Sequence, residues 1–248
     1  MPFYGAPRTL SAPNEESSFK HRLSLTLKNA ARAFHDPTRA DAVAAVGELT
    51  GTVALHQIRD AMRQHPTGRL ILEERPIVSK ITIPYDTLIK NSATIEETVA
   101  GNVTFGQAYG AFLATHGFDP DERCQVKYID DPELAYVMLR YRQCHDFWHA
   151  LTGLPPTVVG ELGLKWLELF QTGLPLAALS STVGSLSLSY HQQHVLWSIY
   201  LPWARHVGQK MPYCTLMNVR YENELDTPLV ELRERLQLEP APQNVEGH

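Results

Sequence analysis

Apolar residues recur at helical spacing along most of this chain, and proline, glycine and capping residues separate the segments that carry them. This pattern predicts a series of amphipathic helices. In chain order they cover 17–35, 38–49, 52–65, 105–117 and 132–151, a segment that begins after Thr157, and 228–238. A short element over 68–75 ends at Pro76. Helix signals therefore dominate the chain.

Four positions carry helix-start signals. Asp36 precedes Pro37 and Asp131 precedes Pro132, so each pair resembles an N-cap followed by proline at the first helical position. Thr104 and Thr157 are further N-cap candidates.

Only residues 77–90 have a strand-like composition, with β-branched residues interrupted by proline. We expect an extended connection there. Because no repeat or linker is visible, the sequence predicts an all-α fold, a single-domain helical bundle over 19–238. Residues 1–18 are expected to be flexible. Residues 239–248, which contain two prolines, are expected to form a disordered tail.

The segment with the clearest chemistry places two histidines one helical turn apart. His145 and His149 share one face of the helix over 132–151, and Asp146 flanks that face. Gly153 and two prolines then end the helix. Glu161 lies one turn into the next helix, and a short connection favours antiparallel packing of the two. The sequence therefore predicts a helix-loop-helix hairpin that brings these four residues together.

Two imidazoles and two carboxylates suit Zn²⁺, Fe²⁺ or Mn²⁺ better than Ca²⁺ or Mg²⁺. The alternative is a polar structural cluster without metal, since histidine pairs four apart are common. His191 and His194 form another pair, three apart, but no carboxylate or cysteine is near them in sequence. We interpret that pair as hydrogen-bonded histidines, not ligands. Between the ligands, Phe147 and Trp148 are expected to face the core.

Composition narrows the classes of protein. The 248 residues are 44% hydrophobic with a formal net charge of −5, which disfavours a dedicated nucleic-acid binder. Three separated cysteines, Cys124, Cys144 and Cys214, fit a reducing compartment and no disulfide framework. We expect Cys144 to be a buried small hydrophobe. The basic helix over 17–35 is compatible with targeting, membrane-surface docking or packing onto the body.

Residues 169–204 contain no Asp, Glu, Lys or Arg. Glycine, proline and polar residues interrupt this segment, so a continuous transmembrane span is not expected. Two interpretations stay open: a buried helix pair, or the wall of a pocket for a lipophilic ligand or a membrane-facing surface.

These residues together resemble a known family. The spacing of His145, Asp146, His149 and Glu161 is similar to the signature of the fourth protein of ubiquinone (coenzyme Q) biosynthesis. The resemblance extends over about residues 20–236 and includes five further segments: 36–51, 71–76, 130–146, 160–175 and 201–204.

The resemblance implies an all-α protein on the matrix face of the mitochondrial inner membrane, within a multi-enzyme complex and as an oligomer. The implied activity is removal of the C1 carboxylate, coupled to oxidation, from 4-hydroxy-3-methoxy-5-polyprenylbenzoate. The implied metal, most often zinc, falls on His145, Asp146, His149 and Glu161. We add Arg142 and Lys165 as residues that orient the ligands, each one turn from a ligand carboxylate. Exposed ion pairs are the alternative for these two.

Two rival functions remain on the sequence alone. The first is a scaffold subunit that binds lipid and metal without chemistry. The second is a metal-dependent phosphohydrolase, since adjacent His-Asp pairs also mark that class. The phosphohydrolase is the weaker of the two because it predicts further His and Asp ligands from separate helices, and no well-placed histidine cluster is visible in the sequence.

Overall fold

The capping residues singled out in the sequence begin helices in the computed structural model. The structure describes residues 50–94, 97–98, 102–122, 125–175 and 188–243, together with Ser24, Val46, Glu48 and Val245. Thr104 accepts a hydrogen bond from Gln107 N in a capping box, and Asp131 accepts from two amides of its first turn. Thr157 accepts from Gly160 N at 3.1 Å. These three predicted N-caps are confirmed.

The described helices follow one another with short connections, and the all-α, single-domain fold is confirmed. They are α1 (Thr52–Gln64), α2 (Pro66–Glu74), α3 (Tyr85–Lys90), α4 (Phe105–His116), α5 (Pro132–Thr152), α6 (Val158–Thr172), α7 (Tyr190–Val195), α8 (Leu201–Lys210) and α9 (Leu229–Leu236). A π-helical turn covers Leu196–Tyr200, and short 3-10 turns cover Thr215–Asn218 and Tyr221–Asn223. In the described ranges, the sole β-type pairing is a bridge between Thr104 and Pro228.

The longest described helix, α5, is buried on several faces because α1, α2, α4 and α6 all pack against it. Cys144, Phe147 and Trp148 are fully buried, as predicted. Trp148 Nε1 donates to Tyr221 Oη at 2.9 Å, which satisfies its one polar atom. Burial also raises the pKa of the Cys144 thiol to about 12, so this thiol is protonated at neutral pH. Cys124 lies outside the described residues.

The expectation of an extended segment over 77–90 is wrong for its second half, where α3 forms. The helix packs closely on α4 because Gly106 and Gly110 carry no side chain. A Cβ atom at Gly110 would overlap the backbone carbonyl of Leu88. Tertiary packing of Leu88, 7% exposed, therefore outweighs the local β-propensity of the segment.

The uncharged segment is partly described. Residues 176–187 lie outside the described part, while Leu196 and Ala204 are fully buried. Tyr190 and Trp197 are 89% and 39% exposed. The segment therefore contributes both to the core and to the surface. No helix of the described residues combines the length and apolar character needed to cross a membrane.

The described residues cover the C-terminal end of the chain more fully than the N-terminal end. The predicted helices over 17–35 and 38–49 lie mostly outside the described residues, although Val46 and Glu48 are helical. After α9, Ala241 is 3% exposed and its amide donates to Thr152 O at 2.8 Å. Residues 238–243 therefore pack against the end of α5, although we predicted a disordered tail from 239 onward. The domain boundaries themselves stay predictions.

A buried ion pair fixes α5 to the segment before α9. The Arg140 guanidinium is fully buried, and it donates to Glu222 Oε2 at 2.9 Å and to Val219 O at 3.1 Å. Burial would raise the pKa of the Glu222 carboxyl, but Arg140 outweighs this and lowers that pKa. Because the pKa is lower in the folded state, the pair stabilises the fold above the unfolded pKa. That stabilisation is lost as pH falls through the folded pKa.

We therefore expect Glu222→Gln to lower the free energy of unfolding at pH 7 by about 3 kcal/mol, since it leaves a buried charge uncompensated. The gap between wild type and variant should narrow from pH 7 to pH 3, as measured by urea unfolding at each pH. Glu224→Gln is the control, because its partner Arg235 is half exposed, and it should cost about 1 kcal/mol or less. A gap that does not change with pH would contradict the assignment.

Candidate metal centre

The two histidines and the glutamate of the predicted hairpin come together at the end of α5. Gly153 ends α5 with a positive φ of 75°, a conformation that glycine adopts without strain. The connection turns within four residues, and Thr157 caps α6. Glu161, in the first turn of α6, thus faces the last two turns of α5. The carboxylate of Glu161 lies 3.2 Å from His145 Nε2 and 3.1 Å from His149 Nε2.

The Nε2 atoms of the two imidazoles point at each other, 3.3 Å apart. His149 Nδ1 lies 2.8 Å from Leu154 O, a carbonyl that only accepts hydrogen bonds, so Nδ1 carries the proton. His145 Nδ1 lies 2.7 Å from Glu168 Oε1, and we assign its proton in the same way. Each neutral ring therefore turns its Nε2 lone pair inward.

These distances match those between neighbouring ligands of a small divalent metal. The nitrogen and oxygen ligands of Zn²⁺ lie about 2.0–2.2 Å from the metal. Ligands at the corners of a tetrahedron are then about 3.3–3.6 Å apart, because a tetrahedral edge is about 1.63 bond lengths, and the observed separations of 3.1–3.3 Å lie at or just below this range. The three ligand residues, His145, His149 and Glu161, each offer an atom within 4.8 Å of the others. The donor set and its spacing fit a transition-metal ion.

The charges at this centre favour a positive charge between the two imidazole rings. Burial would raise the pKa of Glu161, but the two histidines hold it well below its ordinary value, so the carboxylate is ionised. Burial lowers the pKa of His149. Burial and Lys165 also act to lower the pKa of His145, but Glu161 and Glu168 outweigh them and raise it. One proton can thus occupy the space between the rings, and a metal ion would replace it.

Glu168 supports His145 and was missed in the sequence. Its carboxylate is fully buried, and Lys165 Nζ donates to its two oxygens at 2.9 and 2.7 Å. The hydroxyl of Tyr141 donates to it as well. Burial would raise the pKa of Glu168, but Lys165 and His145 lower it to about 2. A signal was available: Glu168 lies seven residues, or two turns, after Glu161, and is flanked by leucines.

The other predicted site residues, Asp146, Lys165 and Arg142, are not part of this group of potential ligands. Asp146 is buried, at 3% exposure, and its carboxylate is not part of the three-residue group. Lys165 lies 3.3 Å from His145 Nδ1 and reaches the centre through Glu168, not through Glu161 as we expected. Arg142 donates to the buried Glu48 at 2.7 Å and to Gln125 O at 3.3 Å. This connects α5 to the segments before α1 and α5.

The second histidine pair lies elsewhere. His194, on α7, is 3.3 Å from the hydroxyl of the exposed Ser198. Neither His191 nor His194 belongs to a cluster of potential metal ligands among the described residues.

The fold and the site define a broad class: helical proteins with two histidines and a glutamate brought together by two successive helices. Comparisons with known proteins identify the family within this class. Residues 15–242 match the family model "Coenzyme Q (ubiquinone) biosynthesis protein Coq4". The chain is 40% identical over 231 residues to the mitochondrial "Ubiquinone biosynthesis protein COQ4 homolog" of Bos taurus, covering 93% of this chain and 83% of that protein. It is 42% identical over 212 residues to the homologue of Nematostella vectensis, covering 84% and 97%.

The chain therefore belongs to the Coq4 family, which confirms the resemblance found in the sequence. A crystal structure from Nostoc punctiforme, of a protein provisionally described as a ubiquinone biosynthesis protein, matches with a TM-score of 0.58. That match covers 91% of this chain and 98% of the other at 18% identity, so it supports the fold alone.

The role of Glu168 can be tested through metal affinity. We expect Glu168→Gln to weaken Zn²⁺ binding by about ten- to a hundredfold, because a neutral amide orients the imidazole of His145 less strongly. Competition with a chromogenic chelator measures this affinity. Glu239→Gln, which removes an exposed carboxylate paired with Lys210, should leave it unchanged. Equal affinities for wild type and Glu168→Gln would show that this contact does not support a metal ligand.

The variant Lys165→Met tests whether Lys165 helps to position the ligands. This variant should also lower metal affinity or turnover, because Lys165 holds the carboxylate of Glu168. If both quantities stay intact, Lys165 does not position the ligands.

Proposed function

We propose that this protein acts in ubiquinone biosynthesis as a metal-dependent decarboxylase of 4-hydroxy-3-methoxy-5-polyprenylbenzoate. The bond between ring carbon C1 and the carboxylate breaks, CO₂ leaves, and a hydroxyl oxygen from water takes its place on C1 with release of a proton. An external two-electron oxidant accepts the electron pair. Family membership and the names of the relatives support the pathway. The same names support a mitochondrial location, and we propose the matrix side of the inner membrane.

The convergence of His145 Nε2, His149 Nε2 and the Glu161 carboxylate is the observation that carries this proposal. The side chains of His145 and His149 are 13% and 1% exposed, whereas that of Glu161 is 35% exposed. The centre is therefore anchored in the core on the α5 side and open toward solvent on the α6 side. An external molecule can approach it from the side of Glu161.

We assign the metal to His145, His149 and Glu161, with Asp146 as a fourth ligand because it adjoins His145 and matches the family motif. Zinc is our first choice, with iron or manganese as alternatives. When bound, such an ion supplies a Lewis acid for a carboxylate or phenolate oxygen of the substrate. The protein fixes the ligand rings beforehand through Leu154 and Glu168.

Apolar and aromatic groups around the centre keep water from its buried side. The ring of Phe112 stacks on the His149 imidazole, with 5.0 Å between centroids and 12° between planes. Tyr141 packs against Trp148 behind the ligand face. A low-dielectric surrounding strengthens the attraction between the metal and an anionic substrate.

We assign the polyprenyl tail to the uncharged segment 169–204, where exposed Trp197 packs edge-on against Trp166 at 5.9 Å. This surface would also meet the membrane, as a peripheral contact. Other proteins of ubiquinone biosynthesis are the proposed partners, and an oligomer is the proposed assembly.

One observation favours the alternative of a scaffold without catalysis. The polar groups around the centre pair with one another: Lys165 with Glu168, Glu168 with His145, and both histidines with Glu161. Such mutual pairing also suits a metal that only stabilises the hairpin. Four protein ligands could complete a tetrahedral site and leave no open position.

The variant Glu161→Ala distinguishes a metal-dependent decarboxylase from a scaffold without catalysis. We expect purified wild type to contain near-stoichiometric metal and to release CO₂ from a short-tailed substrate analogue when an oxidant is present. Glu161→Ala should lose both, because it removes the shared carboxylate, while His194→Ala should retain both. Elemental analysis and a CO₂-release assay provide the two measurements. Metal without turnover would favour the scaffold, and wild type without metal would contradict the metal centre.

A further inference from the structure

A cavity of about 190 Å³ lies beside the metal centre, between α4, the end of α5 and the segment after α9. Its walls are mostly apolar, formed by Ala108, Ala111, Phe112, Leu154 and Pro155 among others. His149 borders it as well, so the cavity and the metal centre share one wall. This cavity plays no part in the proposed function as stated above.

Among the described residues that line this cavity, Arg233 of α9 is the one Lys or Arg. Its side chain is only 7% exposed, and Nε donates to Leu151 O at 2.8 Å. No carboxylate of the described residues lies within ion-pair distance of this guanidinium. Burial lowers its pKa to about 10, so it still carries its charge at neutral pH. A buried charge without a counter-ion is costly and requires a reason.

The other buried arginine of the described residues, Arg140, differs from Arg233 because it has a carboxylate partner. Arg140 is paired with Glu222 by two nitrogens. Arg233 uses only Nε in a hydrogen bond within the described structure, which leaves the Nη donors for an external acceptor.

The lining of the cavity also favours an anion. Its described residues include Arg233, two histidines, two threonines and a glutamine, but no Asp or Glu. A second cavity, of about 290 Å³ beside α3, has the opposite character, with Glu222 and Asp226 and no Lys or Arg among the described residues of its lining. An anion would therefore be attracted to the first cavity and repelled from the second.

We propose that the Arg233 cavity binds the carboxylate of a single-ring aromatic acid, and this inference rests on the proposed function, whose benzoate substrate belongs to that class. A guanidinium binds a carboxylate through two parallel hydrogen bonds, and the alanines and Phe112 offer contacts to a ring. The size agrees, since an apolar cavity of about 150 Å³ can hold one benzene molecule. A single guanidinium balances one negative charge, which favours a monocarboxylate over a phosphate dianion.

Titration of benzoate into the full-length protein, followed by calorimetry or by ligand NMR, tests this site. Wild type should bind benzoate, and Arg233→Gln should bind it at least about tenfold more weakly, because a charge-assisted hydrogen bond contributes about 1.5–3 kcal/mol. Arg235→Gln, on the same helix but half exposed and paired with Glu224, should bind as wild type does. Benzamide, a neutral analogue of similar shape, should not distinguish Arg233→Gln from wild type.

A second variant tests the site independently, in case Arg233→Gln does not fold. Ala111→Leu fills the cavity and leaves the guanidinium in place, so it should also weaken benzoate binding. Equal benzoate affinity for wild type and both variants would overturn the proposal, as would no binding to wild type. Binding that disappears on metal chelation but survives Arg233→Gln would place the anion at the metal and overturn it as well. Loss of decarboxylation in Glu161→Ala does not bear on this site, so the two proposals can fail separately.

Discussion

The candidate site depends on one electrostatic constraint. The Nε2 lone pairs of His145 and His149 face each other across 3.3 Å, and the carboxylate of Glu161 lies beside them. Such an arrangement is repulsive unless a positive charge lies between the groups. Leu154 O and the Glu168 carboxylate hold the Nδ1 protons of His149 and His145, so the rings cannot relieve the repulsion by exchanging tautomers without losing those bonds. A proton and the proposed metal ion would therefore compete for one place, and metal binding should release protons.

The surrounding fold holds the ligands rigidly enough for this constraint to matter. Both histidines lie on α5, whose interior faces are closed by fully buried side chains such as Trp148. The Arg140–Glu222 ion pair fixes the helix some distance before the ligands, and the segment around Ala241 closes its far end. A site built on a buried helix varies less in geometry than one built on loops. Glu161, which is partly exposed and lies on a separate helix, completes it from the outside.

Local chemistry made much of the fold predictable. Caps such as Asp131 and Thr157, and the stop at Gly153, follow from side-chain hydrogen bonds and backbone freedom that depend on a few neighbouring residues. The hairpin that brings Glu161 to the histidines follows from the short connection. The three-ligand part of the candidate site was therefore accessible from spacing alone.

The features that could not be predicted from the sequence depend on contacts between distant segments of the chain. Helix α3 was missed because the packing of Leu88 against the glycines of α4 outweighs its β-branched composition. The support of His145 by Glu168 spans 23 residues, and the isolation of Arg233 depends on which carboxylates lie near it in space. Lys165 was expected beside Glu161, but it turns to the buried Glu168 because an ion pair there is screened less by solvent.

Anomalous X-ray diffraction from crystals of the purified protein, recorded on both sides of the zinc absorption edge, tests the central claim most directly. The account predicts one anomalous peak between the Nε2 atoms of His145 and His149 and the carboxylate of Glu161. If zinc is absent, the same measurement at the iron and manganese edges should show the peak in that place. No peak between these three residues at any of the edges, in crystals grown without chelator, would contradict it.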